Sequence, residues 1–303
     1  MSQRYINPKV DYAFKRVFGN EQHPNILIAF LNAVFEYPAD AEERITSVSI
    51  KNPYLDKRTI DDKLAILDIR AETNNNLMIN IEIQVRRDEA MRKRTLYYLS
   101  NMVAEGLKAS EDYSVLSKCV AINILDYTEI EESEKIHTSY VFMEKDEKSV
   151  LSTDMEIHFL ELAKLRKAMK VESFDKFLQE NPLYQWMLFI EDPEDERVQV
   201  LAGKKEGFKE AIDMVDFTNM TEQEKIDYWT RNKAMHERAS IEAEKKRAEE
   251  RAEERGVERG RDAKAVQIAR KLVSTGMTIE QIAEITEIPI ETLKDILKID
   301  NNR

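Results

Sequence analysis

Two apolar runs joined by three asparagines are the feature that most constrains this chain. They occupy residues 64–85 and read LAILDIRAETNNNLMINIEIQV. Aliphatic runs of this length favour strands, and the asparagine triplet between them predicts a turn. We refer to residues 64–85 as the carboxylate hairpin, because Asp68 lies in the first run and Glu82 in the second. The register of this hairpin decides whether the two acids meet.

The length of the turn sets that register. Opposed residues in an antiparallel pair point to the same face of a sheet, since side chains alternate along each strand. Pairing Asp68 with Glu82 leaves residues 74–76 as a three-residue loop. Such a loop needs a residue in the left-handed region, which asparagine tolerates better than other non-glycine residues. A two-residue turn would place Asp68 opposite Ile81 instead. The triplet therefore favours the register that brings the acids together.

Two carboxylates on one face predict a cation site. They repel each other unless a proton or a cation lies between them, and oxygen ligands of this kind suit Mg²⁺ or Mn²⁺. A bound metal lowers the pKa of its water and stabilises charge on a scissile phosphate. The alternative is an ordinary solvated hairpin, because Arg70 and Asn80 would share the same face and suit a plain surface equally well.

Composition argues against several other classes of function. The chain has seven glycines, and none forms a dinucleotide or nucleoside-triphosphate loop. The four histidines are scattered and Cys119 is the one cysteine, so neither a zinc site nor a disulfide framework is expected. With no apolar signal core and no apolar run of about 20 residues, we expect a cytoplasmic protein that does not enter membranes. The net charge of −12 argues against a non-specific coat on nucleic acid.

Helical and strand patterns predict that residues 1–195 form one α/β domain. Two helices within residues 5–40 precede the carboxylate hairpin, and a further helix follows it at residues 88–108. Residues 113–127 hold a long apolar run that predicts a central strand. A later hairpin and more helices complete the domain.

The rest of the chain is predicted to be helical. Residues 196–262 form a highly charged linker or arm, through which copies of the chain could assemble into a homo-oligomer. Residues 263–303 resemble a small helix-turn-helix of three short helices, with a capping box at Thr278 and Gln281. Acidic residues in its last helix leave two roles open, which are DNA reading and packing against a partner.

Several segments together resemble the Rpn family of recombination-promoting nucleases, also called putative transposases. They include NPKVDYAFKRVFG, DDKLAILDIRAET, INIEIQ and KRTLYYLSNM, and the resemblance spans roughly residues 4–190. The family belongs to the PD-(D/E)XK nuclease superfamily. The resemblance implies a restriction-endonuclease-like α/β core, with a mixed central sheet flanked by helices and a helical C-terminal tail. It also implies metal-dependent cleavage of DNA at low sequence specificity, in recombination or mobile-element biology.

The resemblance implies roles for residues of the carboxylate hairpin. Asp68 and Glu82 match the two motif acids, which would hold Mg²⁺ or Mn²⁺. Gln84 stands where most of the superfamily has a lysine and would position the attacking water. Because glutamine supplies no charge, the metal or a nearby cation has to offset the negative charge that develops. Lys63 and Arg70 are the candidates for that cation.

Other residues extend the implied site. Asp11 lies in the first helix, where superfamily members often carry an extra acid, and is either a third metal ligand or an ordinary solvated helix residue. A basic stretch after the hairpin could contact DNA phosphates or form a solvated helix face; its candidate DNA contacts are Arg86, Arg87 and Arg94. The sequence thus predicts a Mg²⁺-dependent DNA endonuclease. The rival is a catalytically degenerate nuclease fold that binds DNA or protein.

Overall fold

The structure is a computed structural model that describes residues 4–51, 69–107 and 112–297. Its strands, in chain order, are β1 (Val48–Lys51), β2 (Ile69–Thr73), β3 (Met78–Gln84), β4 (Cys119–Leu125), β5 (His137–Met143) and β6 (Val150–Glu161). Its helices are α1 (Asp11–Phe18), α2 (Pro24–Val34), α3 (Met91–Glu105), α4 (Leu162–Ala168), α5 (Phe174–Glu180), α6 (Pro182–Glu191), α7 (Glu196–Ala202), α8 (Glu206–Val215), α9 (Glu222–Ser274), α10 (Ile279–Thr286) and α11 (Ile290–Leu297).

A mixed sheet of six strands lies at the centre of the fold, in the order β1-β2-β3-β4-β6-β5. The first three strands pair antiparallel, β3, β4 and β6 run parallel, and β5 returns antiparallel at one edge. Every residue of β4 is buried, as a parallel strand covered on both faces requires. The predicted α/β core with a mixed central sheet is confirmed, and so is the helical C-terminal part.

The register of the carboxylate hairpin agrees with the predicted one wherever it is described. Ile69 lies opposite Ile81, and the same register continues to the turn. Asn76 adopts the left-handed conformation with φ of 55°, which is the conformation that the three-residue loop requires. Asp68 precedes Ile69 in the sequence and lies outside the described residues, as does Lys63.

The two faces of the sheet pack against different helices. Ile79, Ile81 and Ile83 of β3 point into the main core, which also contains apolar residues of α1, α2 and α6. Aromatic side chains are prominent in that core, namely Phe14, Phe18, Phe30, Trp186 and Phe189. On the opposite face, Met78 packs against a cluster that includes Leu99 and Met102 of α3. Residues of even number on β3, including Glu82, therefore face α3.

The chain divides into two compact units, Met1–Met235 and His236–Arg303. The predicted boundary after residue 195 differs from this division. Helix α8 buries Phe208, Ile212 and Val215 in the main core and therefore packs with the first unit.

Helix α9 is 53 residues long and spans part of the predicted charged arm and the start of the predicted helix-turn-helix segment. The first short helix predicted within residues 263–303 is the end of α9, and the sequence between residues 222 and 274 has no proline that would break the helix. Gly276 follows with a φ of 84° and turns the chain. The predicted capping box of Thr278 and Gln281 is present at the start of α10. A small core closes this unit, formed by Ala269, Ile282 and Leu293.

Candidate active site

Glu82 is a buried carboxylate on the sheet face that α3 covers. It is 4% exposed and lies beside Asn123 of β4 in the parallel register. Its Oε2 accepts a hydrogen bond from Nη2 of Arg94 at 3.2 Å. Burying a carboxylate carries a large desolvation cost, which a bound cation offsets. The solvated hairpin considered as an alternative therefore does not describe this face, where Asn80 is also buried.

Arg94 of α3 is held between two carboxylates. Its Nη1 donates to Oδ2 of Asp88 at 2.8 Å, while Nη2 donates to Glu82. Asp88 is itself fixed, because its Oδ1 accepts from the backbone N–H of Ala90 at 2.8 Å, just before α3 begins. One continuous network thus joins the start of α3 to β3. We refer to Glu82, Arg94 and Asp88 as the Glu82 network.

Two residues that lie beside the Glu82 network, Asn123 and Tyr127, were not predicted from the sequence. Asn123 has its Oδ1 3.1 Å from the hydroxyl of Thr95, and its Nδ2 donates to the backbone oxygen of His158 at 3.2 Å. Tyr127 follows β4, and burial raises the pKa of its hydroxyl to about 12, with the charge of Arg94 acting in the opposite direction. Their positions near the end of the predicted central strand could have indicated them, since the carboxyl ends of parallel strands lie side by side.

The predicted basic residues have different surroundings. Arg94 belongs to the Glu82 network with 25% of its side chain exposed. Arg86 donates to the backbone oxygen of Met235 in α9. Arg87 is open to solvent, 59% exposed, and pairs with Glu131 at 3.0 Å. Of the three, Arg87 has the exposure that a phosphate contact needs.

The remaining predicted site residues lie at separate positions. Gln84 ends β3 beside Leu125 and is partly exposed. Asp11 begins α1, where its Oδ2 accepts from Nη1 of Arg231 at 2.9 Å. Arg70 shares the sheet face of Glu82, and its Nη1 lies 2.7 Å from Oε2 of Glu105.

Oxygen donors characterise this end of β3. The carboxylate of Glu82 and the amide oxygen of Gln84 are hard ligands of the kind that Mg²⁺ takes, and Mg²⁺ needs one or two carboxylates with several waters. Within residues 4–51, 69–107 and 112–297, no three His, Cys, Asp or Glu side chains form a group that could hold a metal. The donors present nevertheless fit a Mg²⁺ that keeps much of its water shell.

A second polar cluster lies on the main-core face, at the edge of the sheet. Nε2 of His137 is 2.8 Å from Nδ1 of His158, whose Nε2 is 3.1 Å from Oε1 of Glu156. Lys118 lies 2.6 Å from the other oxygen of Glu156. Burial lowers the pKa of His137 to about 4, and the hydrogen bond with His158 lowers the pKa of Glu156 to about 2. The cluster borders a cavity of about 660 Å³.

The low pKa of His137 predicts acid sensitivity. Because the folded-state pKa lies near 4 and the unfolded value is 6.5, this contribution to stability is complete above pH 6.5 and is lost as the pH falls toward 4. We expect a loss of about 3 kcal/mol in the free energy of unfolding. Urea titrations at pH 7 and pH 4.5 measure it.

Two variants test the assignment to His137. His137→Phe should flatten the pH dependence of unfolding, whereas His23→Gln, at a partly exposed histidine, should leave it unchanged. Equal pH dependence in the wild type and His137→Phe would show that another group is responsible.

Among the described residues, no helix has both the length and the apolar character needed to cross a bilayer.

Comparison with known families matches the greater part of the chain. A family model described as PD-(D/E)XK nuclease family transposase covers residues 8–244, from just before α1 into α9. Comparisons with curated proteins and with solved structures found no match. The match confirms the resemblance carried by the segments around the carboxylate hairpin. The chain belongs to the PD-(D/E)XK nuclease family transposases.

Proposed function

We propose that this protein is a divalent-metal-dependent DNA endonuclease that hydrolyses phosphodiester bonds with low sequence specificity. The observation that carries the proposal is the buried Glu82 near the end of β3, in a chain that belongs to a nuclease family. Glu82 also lies near the carboxyl end of β3 beside the parallel strand β4, and ligands of open α/β sheets bind at the carboxyl ends of parallel strands.

Asp68 and Glu82 are the proposed metal ligands, with Mg²⁺ or Mn²⁺ as the ion. The hairpin register supports this pairing up to Ile69, which directly follows Asp68 in the sequence. When bound, the metal lowers the pKa of a water molecule and stabilises negative charge on the phosphate. Gln84 positions that water through its side-chain amide. Asp11 is proposed as an additional ligand, which would have to exchange its pairing with Arg231 for the metal.

The proposed substrate is DNA, handled in the cytoplasm during recombination or the movement of mobile elements. Arg87 offers an exposed guanidinium for phosphate contact. Arg86 and Arg94 lie closer to the interior and would act nearer the scissile bond. The charged part of α9 is proposed as a surface through which copies of the chain form a homo-oligomer.

Incubation with supercoiled plasmid tests the proposal. Wild-type protein should produce nicked and linear DNA with Mg²⁺ or Mn²⁺, and no product in EDTA. Asp68→Ala should abolish both products while the melting temperature stays close to that of the wild type. DNA binding without cleavage in Mg²⁺, Mn²⁺ and Ca²⁺ would instead support the degenerate, binding-only fold.

A further inference from the structure

The proposed site has a neutral side chain where a positive charge is needed. Gln84 cannot offset the negative charge that develops on a phosphate during cleavage. A guanidinium nevertheless lies in direct contact with the buried acid, because Arg94 donates to Glu82 at 3.2 Å. We infer that Arg94 supplies the charge that a lysine two residues after the acid supplies elsewhere in the superfamily. This inference rests on the proposed function.

The position of Arg94 is fixed by its neighbours. Asp88 holds Nη1 at 2.8 Å and is itself anchored to the backbone N–H of Ala90, so the guanidinium cannot swing freely. Preorganised charge of this kind stabilises a transition state without further rearrangement. Arg94 reaches the site from α3, and the superfamily lysine would reach it from β3.

The guanidinium also has hydrogen-bonding capacity to spare. Of its five N–H donors, one on Nη1 serves Asp88 and those on Nη2 serve Glu82 and Sδ of Met91, while Nε is buried without a hydrogen-bond partner among the described residues. A buried donor without a partner is costly, and an acceptor atom of a ligand would remove that cost. A metal ion bound to Glu82 would draw negative charge from the carboxylate and would weaken its hydrogen bond with Nη2. A phosphate oxygen is the acceptor that then suits Arg94.

Among the described residues, Arg70 is a second guanidinium on this face, and it contacts a different acid. Its Nε is also buried without a hydrogen-bond partner there, but Arg70 lies opposite Asn80, two residues before Glu82 on β3, and its Nη1 pairs with Oε2 of Glu105 at 2.7 Å and not with Glu82. Arg94 touches Glu82 itself and therefore acts over the shortest distance, where Coulomb interaction in a buried setting is strongest.

A charge in this position makes opposite predictions for metal binding and for cleavage. Arg94 repels a cation that binds Glu82, so Arg94→Gln should bind Mn²⁺ about three- to tenfold more tightly. The same variant should cleave plasmid about 100-fold more slowly at saturating Mn²⁺, because the stabilising charge is gone. Arg94→Lys keeps the positive charge but loses the planar, two-pronged guanidinium. Its cleavage rate should lie within about tenfold of the wild-type rate.

Calorimetric titration with Mn²⁺ and a plasmid-cleavage time course measure the two effects. Arg92→Gln is the matched control, since Arg92 lies on the same helix, is exposed and pairs with Glu129; it should change neither quantity. Wild-type cleavage rates in Arg94→Gln would overturn the inference, as would parallel loss of Mn²⁺ binding and cleavage, which indicates a structural role. If Arg94→Gln does not fold, the Arg94→Lys variant provides the test. Loss of both Mn²⁺ binding and cleavage in Arg94→Lys would also overturn the inference. A wild type that fails to cleave refutes the proposed function instead.

Discussion

Replacing Glu82 with glutamine is expected to reduce plasmid cleavage by about 10³-fold. Glutamine has nearly the same shape, and its amide oxygen can still accept the hydrogen bond from Arg94. It lacks the negative charge and the second oxygen that a hard cation requires. The fold should therefore survive while the chemistry fails. Measurement of nicked product against time, at several Mg²⁺ concentrations, gives the loss directly.

A matched substitution on the neighbouring strand controls for the change of residue type. Glu72→Gln removes a partly exposed carboxylate that pairs with Lys51 at 2.7 Å. Cleavage by this variant should equal that of the wild type, because exposed pairs contribute little. Undiminished cleavage by Glu82→Gln would remove Glu82 from the site, and the endonuclease proposal would lose its main support.

The second large effect is expected on stability, in the variant Lys164→Met. Glu161 is fully buried at the end of β6, where its Oε1 accepts the backbone N–H groups of Glu129 and Ile130 at 2.6 and 3.1 Å. Lys164 neutralises its other oxygen and donates to the backbone oxygen of Ile130 at 2.7 Å. Removing the ammonium leaves a buried charge unbalanced, which should lower the free energy of unfolding by about 3–5 kcal/mol.

Lys167→Met provides the comparison, because Lys167 lies about one turn further along the same helix and is exposed to solvent. It should change the free energy of unfolding by less than about 0.5 kcal/mol. Guanidinium titrations followed by circular dichroism measure both variants, and Lys164→Met should also lower the melting temperature by roughly 10 °C. Equal stability of the two variants would mean that the buried pair contributes nothing beyond an exposed lysine.

Local patterns explain which parts of the fold the sequence predicts. The asparagine triplet specifies a three-residue turn, and the left-handed Asn76 confirms it. The apolar run around Cys119 is equally local: an unbroken run of apolar residues predicts a strand covered on both faces, and every residue of β4 is buried. The capping box of Thr278 and Gln281 depends on residues three positions apart. Each of these features is decided within a few residues.

Features that depend on distant segments were not predictable in the same way. The contact between Arg94 and Glu82 joins a helix to a strand, and a basic residue on a helix usually faces solvent or DNA. Tyr127 becomes part of the site only because β3 and β4 end side by side. Helix α8 shows an amphipathic pattern, but the pattern does not say which core covers its apolar side. The role of Asp68 stays a prediction, since that residue lies outside the described part.

The parallel pairing of β3 with β4 also governs when the site can form during folding. The turn at Asn76 closes between neighbouring residues, so the hairpin can form early. Glu82 and Asn123 become neighbours only after a long crossover through α3 has closed. The chain loses conformational entropy when this crossover closes, before the contacts between β3 and β4 contribute any stabilisation. Folding should therefore be slow, and the apolar strand β4 should be exposed to aggregation until it is paired. The proposed site would then be assembled only after this crossover has closed, late in folding.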